Sequence, residues 1–475
     1  MAHIPAAWRA EPKSKIVCTI GPASQAEEQL LALIRAGADV ARLNFSHGTH
    51  EQHAQVIARV RQIADQLDVP VAILQDLAGP KVRIGTFANG SVTVNAGDSF
   101  TLTTRPVTGT SQEVSVSYSR LPEEVKPGDT LLLADGAVML TVQNVTPEDI
   151  HCQVTVGGTL SAHKGVNCPS GLFELPILNP KDLTDLQFGI DHQVDYIGLS
   201  FVRTAEDIRV AKAEIAQRGA STPVIAKIET HAALSHVDEI IAVADGVMVA
   251  RGDLGIETAF ARVPIVQKQI IAKANQYAKP VITATQMLWS MVNAPRPTRA
   301  EVADVANAVI DGTDAVMLSE ETAVGRYPVQ AVQTMASIAG EAEHAGGLFT
   351  RRERQREGET LSEAELMAQA ACHIAAARRL EAILTVTLEG ASARLVAKYR
   401  PSQPILAATP RADTYRRLAL IRGVTPLLLS PDVTTREGMI EKAKERLRLP
   451  GHPRGTVIVF SSVSAEYNML FTDQL

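Results

Sequence analysis

Lys227 and Glu229 stand two apart in AKIET, so in an extended strand both side chains lie on one face. A lone pair of this kind is ordinarily an ion pair. Asp253 follows in ARGDLG, beside glycines, Gly252 among them, that let backbone amides approach a ligand closely. Two carboxylates at neighbouring strand ends, Glu229 and Asp253, are what Mg2+ needs when substrate oxygens and water complete its octahedron. Lys227 then supplies a fixed positive charge beside the metal. Such a set suits phosphoryl transfer or enolate stabilisation, where charge developing on oxygen must be neutralised.

Other polar groups are less specific. In VARLNFSHG, alternation puts Arg42, Asn44 and Ser46 on one face, for which a hydrogen-bonded structural cluster and an ion site account equally well. Thr285 in TATQM and Ser319 in MLSEET could hold a water or relay a proton, although Ser and Thr at strand ends more often cap the next helix. In QDLAGPKVRIG, Lys81 and Arg83 share a face after the apolar run VAIL, and a solvated turn is the commoner explanation of two exposed basic residues.

Strands must carry these groups. KIVCTI, DVARLNFS, VPVAILQD, VDYIGLSF, TPVIAKIE, DGVMVARGD, KPVITATQ and TDAVMLSE alternate with amphipathic helical stretches, and eight such βα units predict a closed parallel barrel. In the first unit, Ser24 and Glu27 have capping-box spacing and Gly37 can end the helix; Asn179-Pro180 predicts an N-cap with proline at the first helical position. Between the third strand and Asn179 lies a Val-, Thr-, Gly- and Asp-rich segment with D-G turns, read as an all-β insert placed to act as a lid over the barrel's active end.

The charge run RRERQREGE marks a boundary, and AILTVT, PILAAT, VTPLLL and TVIVFSS beyond it predict a smaller open α/β domain. The expected division is 1–80 and 168–344 for the barrel, 81–167 for the lid and 345–475 for the last domain.

With 475 residues the chain exceeds one hydrophobic core. Its 46 basic and 52 acidic residues give a net charge of -6, which offers no footprint for nucleic acid or an anionic membrane. No signal-peptide core or bilayer-length apolar run is present, and Cys18, Cys152, Cys168 and Cys372 lack metal or disulfide spacing. A cytoplasmic setting is expected.

Taken together, KIVCTIGPAS, ARLNFSHG, KGVNCP, AKIET, ARGDLG, TATQM, RPTRAEVADVANAV and MLSEETAVGRYP resemble the ordered motifs of the pyruvate kinases. The resemblance implies a (β/α)8 barrel with an inserted β lid and a C-terminal α/β regulatory domain, usually a homotetramer. It further implies conversion of phosphoenolpyruvate and ADP to pyruvate and ATP. Lys227 matches the lysine that stabilises the phosphoryl group in flight, and Glu229 and Asp253 match the magnesium or manganese ligands. Arg42 matches the phosphate-holding arginine and Thr285 the residue near enolate protonation, while Gly252 and Asp253 amides would hold the substrate carboxylate. Asn44, His47, Arg83 and Lys164 resemble nucleotide-binding groups.

Where the family commonly has DTKGPEIRTG, this chain has DLAGPKVRIG. The potassium ion of the usual enzymes lies near the equivalents of Asn44, Ser46, Asp76 and Leu77, and a glutamate nearby favours it; here that glutamate is Lys81. The set Leu77, Ala78, Lys81 and Ile84 resembles the branch that works without potassium, with Lys81 as an internal cation. In the last domain, Thr387 to Ser392 (TLEGAS) replaces the basic sugar-phosphate loop of members activated by fructose bisphosphate, and Glu389 would repel a phosphate. Activation by that effector is therefore not expected. A metal-dependent pyruvate-enolate aldolase and a non-catalytic metabolite sensor are the competing readings. Trp289 stands where the family often has an acid, which either changes a subunit contact or reflects packing in the outer layer.

Overall fold

The computed structural model describes residues 12–169, 173–346, 361–447, 456–464 and 467–474. Eight parallel strands form the expected closed barrel: β1 (Lys15–Thr19), β2 (Val40–Asn44), β3 (Ala72–Asp76), β4 (Tyr196–Leu199), β5 (Val224–Ile228), β6 (Gly246–Ala250), β7 (Val281–Ala284) and β8 (Ala315–Leu318). Alternation sorts their side chains. Val17, Val40, Leu74, Ile225 and Met248 fill the barrel's interior, while Ile16, Leu43, Ile73, Ile197 and Val247 pack outward against helices. One inward step further along the strands, the apolar layer gives way to Thr19, Arg42, Asp76 and Lys227.

Local chemistry moves several boundaries. The Ser46 amide donates to Asn44 Oδ1 at 3.1 Å, an Asx-type turn that ends β2 at Asn44 and takes Ser46 off the strand face onto an exposed rim. After β6 the chain turns directly into the helix Arg251–Glu257, so Asp253 lies in a helical first turn rather than at the strand's end. The Ser24 box does not form: Ser24 Oγ accepts from the Gly21 amide at 3.1 Å, and the helix Glu27–Ala36 begins after Ala26 with no side-chain cap. Gly37 does end it, with φ 121. Asn179 caps the helix Pro180–Asp191 through a capping box with Asp182.

The insert is β apart from one short helix, Leu121–Glu124, whose Leu121 joins its core. Six of its strands form one curled sheet and two more (Ser91–Val94 and Gly158–Ser161) pair beside it, burying Phe100, Leu102, Leu131, Leu140 and Val154 together. Its entering and leaving chains pair with each other: Ile84 donates to Lys164 O and Val166 to Val82 O, both at 2.9 Å. The two connections therefore form one ribbon at the lid's base.

Beyond the barrel helix Pro328–Gly346, the charge run RRERQREGE lies outside the described residues. A five-stranded sheet follows, with β9 (Ala382–Val386), β10 (Ile405–Thr409), β11 (Val424–Leu428), β12 (Thr456–Ser464) and β13 (Tyr467–Gln474) in the order β11-β10-β9-β12-β13. This domain stoppers the barrel floor, because Ala419 and Leu420 join the interior cluster of Val17, Leu74 and Tyr196. Fully buried Asp195 fixes the junction, taking Arg61 of the barrel and Arg416 of the last domain, each at 2.8 Å. Among the described residues no helix is long and apolar enough to cross a membrane, and no cysteine forms a disulfide.

Candidate active site

Asp76, at the end of β3, is the hub. Its carboxylate is 1% exposed and takes Arg42 on Oδ2 (Nε at 2.7 Å, Nη2 at 2.6 Å) and the Lys227 ammonium on Oδ1 at 3.1 Å. Burial works to raise its pKa, but Lys227 and Arg42 outweigh that and hold the carboxyl below its ordinary range. Arg42 also donates to Thr19 Oγ1 at 2.8 Å, and Lys227 reaches Ser200 Oγ at 2.6 Å. Ser200 in turn donates to Leu77 O at 2.7 Å. Two cations from different strands are thus fixed beside one another. Burial works to lower the Lys227 pKa, yet Asp76 and Glu229 hold it above the ordinary value.

Glu229 shows the strongest signal. Its Oε1 accepts from the Phe201 amide at 2.7 Å, and its buried Oε2 has no hydrogen-bond partner, with the Lys227 ammonium 3.6 Å away. Burial pushes its pKa up to about 7 against the pull of Lys227, and the nearby Asp253 charge adds to the rise. An orphaned, fully buried carboxylate oxygen costs free energy unless something positive binds it. Asp253 offers a second carboxylate, 31% exposed. Two carboxylates close enough to feel each other's charge are the donor type a hard divalent ion takes when substrate and water oxygens complete its shell.

Lys81 takes an unexpected partner. Its ammonium lies 3.0 Å from Asp253 Oδ1 and 3.5 Å from Asp135 of the lid, above the Phe201 ring. No hydrogen bond or ion pair joins it to Asn44, Ser46 or Asp76; Asp76 is already saturated by Arg42 and Lys227. Burial lowers the Lys81 pKa, but Asp253 more than compensates and keeps the group charged. Gly165 makes room for it, since a Cβ there would come within 2.4 Å of Lys81 Cε. Leu77 points away into the outer core.

Thr285 sits in a turn rather than at a helix cap. Thr285 and Gln286 have φ of 75 and 57, a left-handed conformation that costs a β-branched residue about 1–3 kcal/mol. Arg251 holds it there, donating from Nη2 to Thr285 O at 2.7 Å and from Nε to Ala284 O at 3.1 Å, while Asp304 anchors Nη1 at 2.7 Å. Gly252 is needed beside it, because a Cβ would lie 2.9 Å from Thr285 Cγ2. Ser319 takes an N-cap position, but its amide, not its hydroxyl, is bound, by Glu321 at 2.7 Å.

The remaining sequence-selected residues lie on the rim. His47, Arg83 and Lys164 are exposed, and Arg83 donates to His163 O at 2.9 Å across the lid ribbon. Asn44 stands above Arg42 on β2, half-buried. Ser200, Phe201 and Arg251 are the participants that sequence reasoning passed over. Trp289 is 48% exposed and donates to Glu320 at 2.6 Å.

Models of two domain families match the chain: pyruvate kinase, barrel domain, over residues 11–332, and pyruvate kinase, alpha/beta domain, over 365–470. Pyruvate kinase 2 of Synechocystis is 51% identical over 88% of this chain and 71% of its own length. The pyruvate kinase of Thermotoga maritima is 42% identical over 94% of this chain and 96% of its own. A crystal structure of a pyruvate kinase from Cryptosporidium parvum superposes with a TM-score of 0.88 at 35% identity, covering 98% of this chain and 96% of that one.

Proposed function

This chain belongs to the pyruvate kinase family, transferring the phosphoryl group of phosphoenolpyruvate to ADP, and from that premise we propose which residues carry the reaction and which cations it needs. The proposal rests on the orphaned Glu229 Oε2 facing Lys227, with Asp253 alongside. Glu229 and Asp253 hold Mg2+ or Mn2+, which when bound supplies Lewis-acid charge to the substrate oxygens. Neither an aldolase nor a sensor is favoured by any feature of the site.

An oxygen of the ADP β-phosphate attacks phosphorus in line, and the bond from phosphorus to the enol oxygen breaks. Lys227 and Arg42 share the charge on the phosphoryl group in flight, already fixed in place by Asp76. Asn44, His47, Arg83 and Lys164 receive the nucleotide. The enolate left behind takes a proton at carbon on the side of Thr285, and Gly252 and Asp253 hold its carboxylate. ATP and pyruvate leave.

The second part of the proposal is that potassium is dispensable. Lys81 supports it from an altered position: its ammonium places one permanent positive charge against Asp253, where a glutamate would need a separate ion to balance it. The loop TLEGAS supports an absence of activation by fructose bisphosphate. Gly390 donates to Thr387 Oγ1 at 2.8 Å and Arg394 turns back to Glu389 O at 3.0 Å, so the loop is closed on itself. Phe260, Ile265 and Val302, exposed on neighbouring helices, together with Trp289, support assembly into the family's usual homotetramer.

Mn2+ titration followed by electron paramagnetic resonance tests the site. Wild type should bind Mn2+ at least tenfold more tightly than Glu229→Gln or Asp253→Asn; equal affinity in all three would remove the assigned ligands. Addition of fructose bisphosphate at subsaturating phosphoenolpyruvate should leave the rate unchanged, and a rate increase would refute the reading of TLEGAS.

A further inference from the structure

Four side chains around the end of β2, Lys181, Asp185, His50 and His53, have no part in the roles assigned above. The chain leaving β2 for the helix His50–Leu67 carries Asn44 and His47, and two of its backbone carbonyls are held by these side chains. Lys181, in the helix Pro180–Asp191, donates to Phe45 O at 2.7 Å. His53 places Nε2 2.9 Å from His47 O, and since a carbonyl can only accept, that nitrogen carries the proton. Burial lowers the His53 pKa, which keeps the ring neutral. The same ring stacks on Phe45, with centroids 4.1 Å apart and planes 13° from parallel.

A lysine 57% exposed on a helix would ordinarily move freely. Asp185, 2% exposed, removes that freedom: its Oδ2 takes the Lys181 ammonium at 2.5 Å and its Oδ1 takes His50 Nε2 at 2.8 Å. The Asp185 carbonyl in turn accepts from Gln75 of β3 at 2.7 Å, one residue before Asp76. The loop is thus tied to β3 and to two helices at once. We propose that Lys181 and His53 are positioning residues of the nucleotide site, holding the carbonyls of Phe45 and His47 so that Asn44 and His47 are in place before ADP arrives. Asp185, with His50, orients Lys181 for that task. The inference deepens the phosphoryl-transfer reading and rests on its assignment of Asn44 and His47 to the nucleotide. A loop tied in advance need not be ordered when ADP binds, so the ties act on ADP affinity. Arg42 and Lys227, which serve phosphoenolpyruvate, are fixed separately by Asp76.

Steady-state kinetics on the full chain test the proposal, with ADP and phosphoenolpyruvate each varied while the other is saturating. Lys181→Met keeps the stem and removes the donor; His53→Phe keeps a ring on Phe45 and removes the N–H. Each should raise the KM for ADP roughly fivefold or more, while the KM for phosphoenolpyruvate moves by less than about twofold. Lys181→Arg, which retains a donor, should bring the KM for ADP back toward wild type. Asn44→Ala separates the two possible failures. If it leaves the KM for ADP unchanged, the assignment of this loop to the nucleotide falls and the positioning role falls with it. If it raises that KM while Lys181→Met and His53→Phe do not, the positioning role alone is overturned. A parallel rise in both KM values, the mark of general damage to the fold, or a KM for ADP as high in Lys181→Arg as in Lys181→Met, would also overturn it.

Discussion

Replacing Lys81 by glutamate reverses one charge at a known distance from the metal-side carboxylates. The ammonium is 17% exposed and 3.0 Å from Asp253 Oδ1; its second partner, Asp135, is 62% exposed and so contributes little. At an effective dielectric constant of ~20, two unit charges 3.0 Å apart interact by roughly 5 kcal/mol. Part of that is offset by recovered hydration and by movement of the new carboxylate. A loss comparable to removing one preorganised charge, about 3–4 kcal/mol or a rate decrease of ~10²–10³, is the expected size. The assay is pyruvate formation from phosphoenolpyruvate, ADP and magnesium, with a tetraalkylammonium salt as the monovalent cation. Adding potassium should raise the rate of Lys81→Glu at least ~10-fold, because the glutamate creates a counter-charge the ion can balance. Lys81→Met, which removes the ammonium without creating that charge, should lose rate and be rescued less. If Lys81→Glu keeps the wild-type rate without potassium, or gains nothing from adding it, the argument for an internal cation fails.

Gly165→Ala should act in the same direction without touching a charge, since its Cβ would meet Lys81 Cε at 2.4 Å and displace the stem; a potassium-free rate equal to wild type would show that the position of the ammonium does not matter. The Glu229 carboxyl, with a pKa raised to about 7 in the folded chain, gives a stability term that is fully present below the unfolded value of 4.5 and is lost as pH rises through 7. Metal-free Glu229→Gln, uncharged throughout, should escape that loss, so its urea-unfolding stability should fall less than that of wild type between pH 4 and pH 8. The same variant should be nearly inactive. Parallel stability curves for the two proteins would contradict the burial cost assigned to this carboxylate.

Much of the architecture is written in the alternation of the strands. The same two-residue period that places Leu74 in the barrel floor places Asp76 above it, whereas the sharing of one site by Lys227 and Arg42 was implied only by the family resemblance. Strand ends were less legible, because they depend on which side chain captures a free amide. Asn44 takes the amide of Ser46 and ends β2 early, and Ser24 bonds Gly21 instead of starting a helix. Ser200 and Phe201 contribute through a hydroxyl and a backbone amide, groups that composition does not single out, although SFVR at the end of β4 marks the place. Arg251 was overlooked beside Gly252 and Asp253, yet it is what holds Thr285 in its left-handed turn. The target of Lys81 lay beyond sequence reasoning altogether. The Lys81 ammonium pairs with Asp253 and Asp135, while Asp76 is taken by two cations from the barrel wall.

The most direct test of the account is the rate of the unmodified protein in a buffer freed of potassium, sodium and ammonium, with magnesium, phosphoenolpyruvate and ADP saturating. Because Lys81 carries its charge permanently against Asp253, turnover should be essentially the same before and after potassium is added. A potassium-free rate that is only a small fraction of the potassium-supplemented one would contradict it.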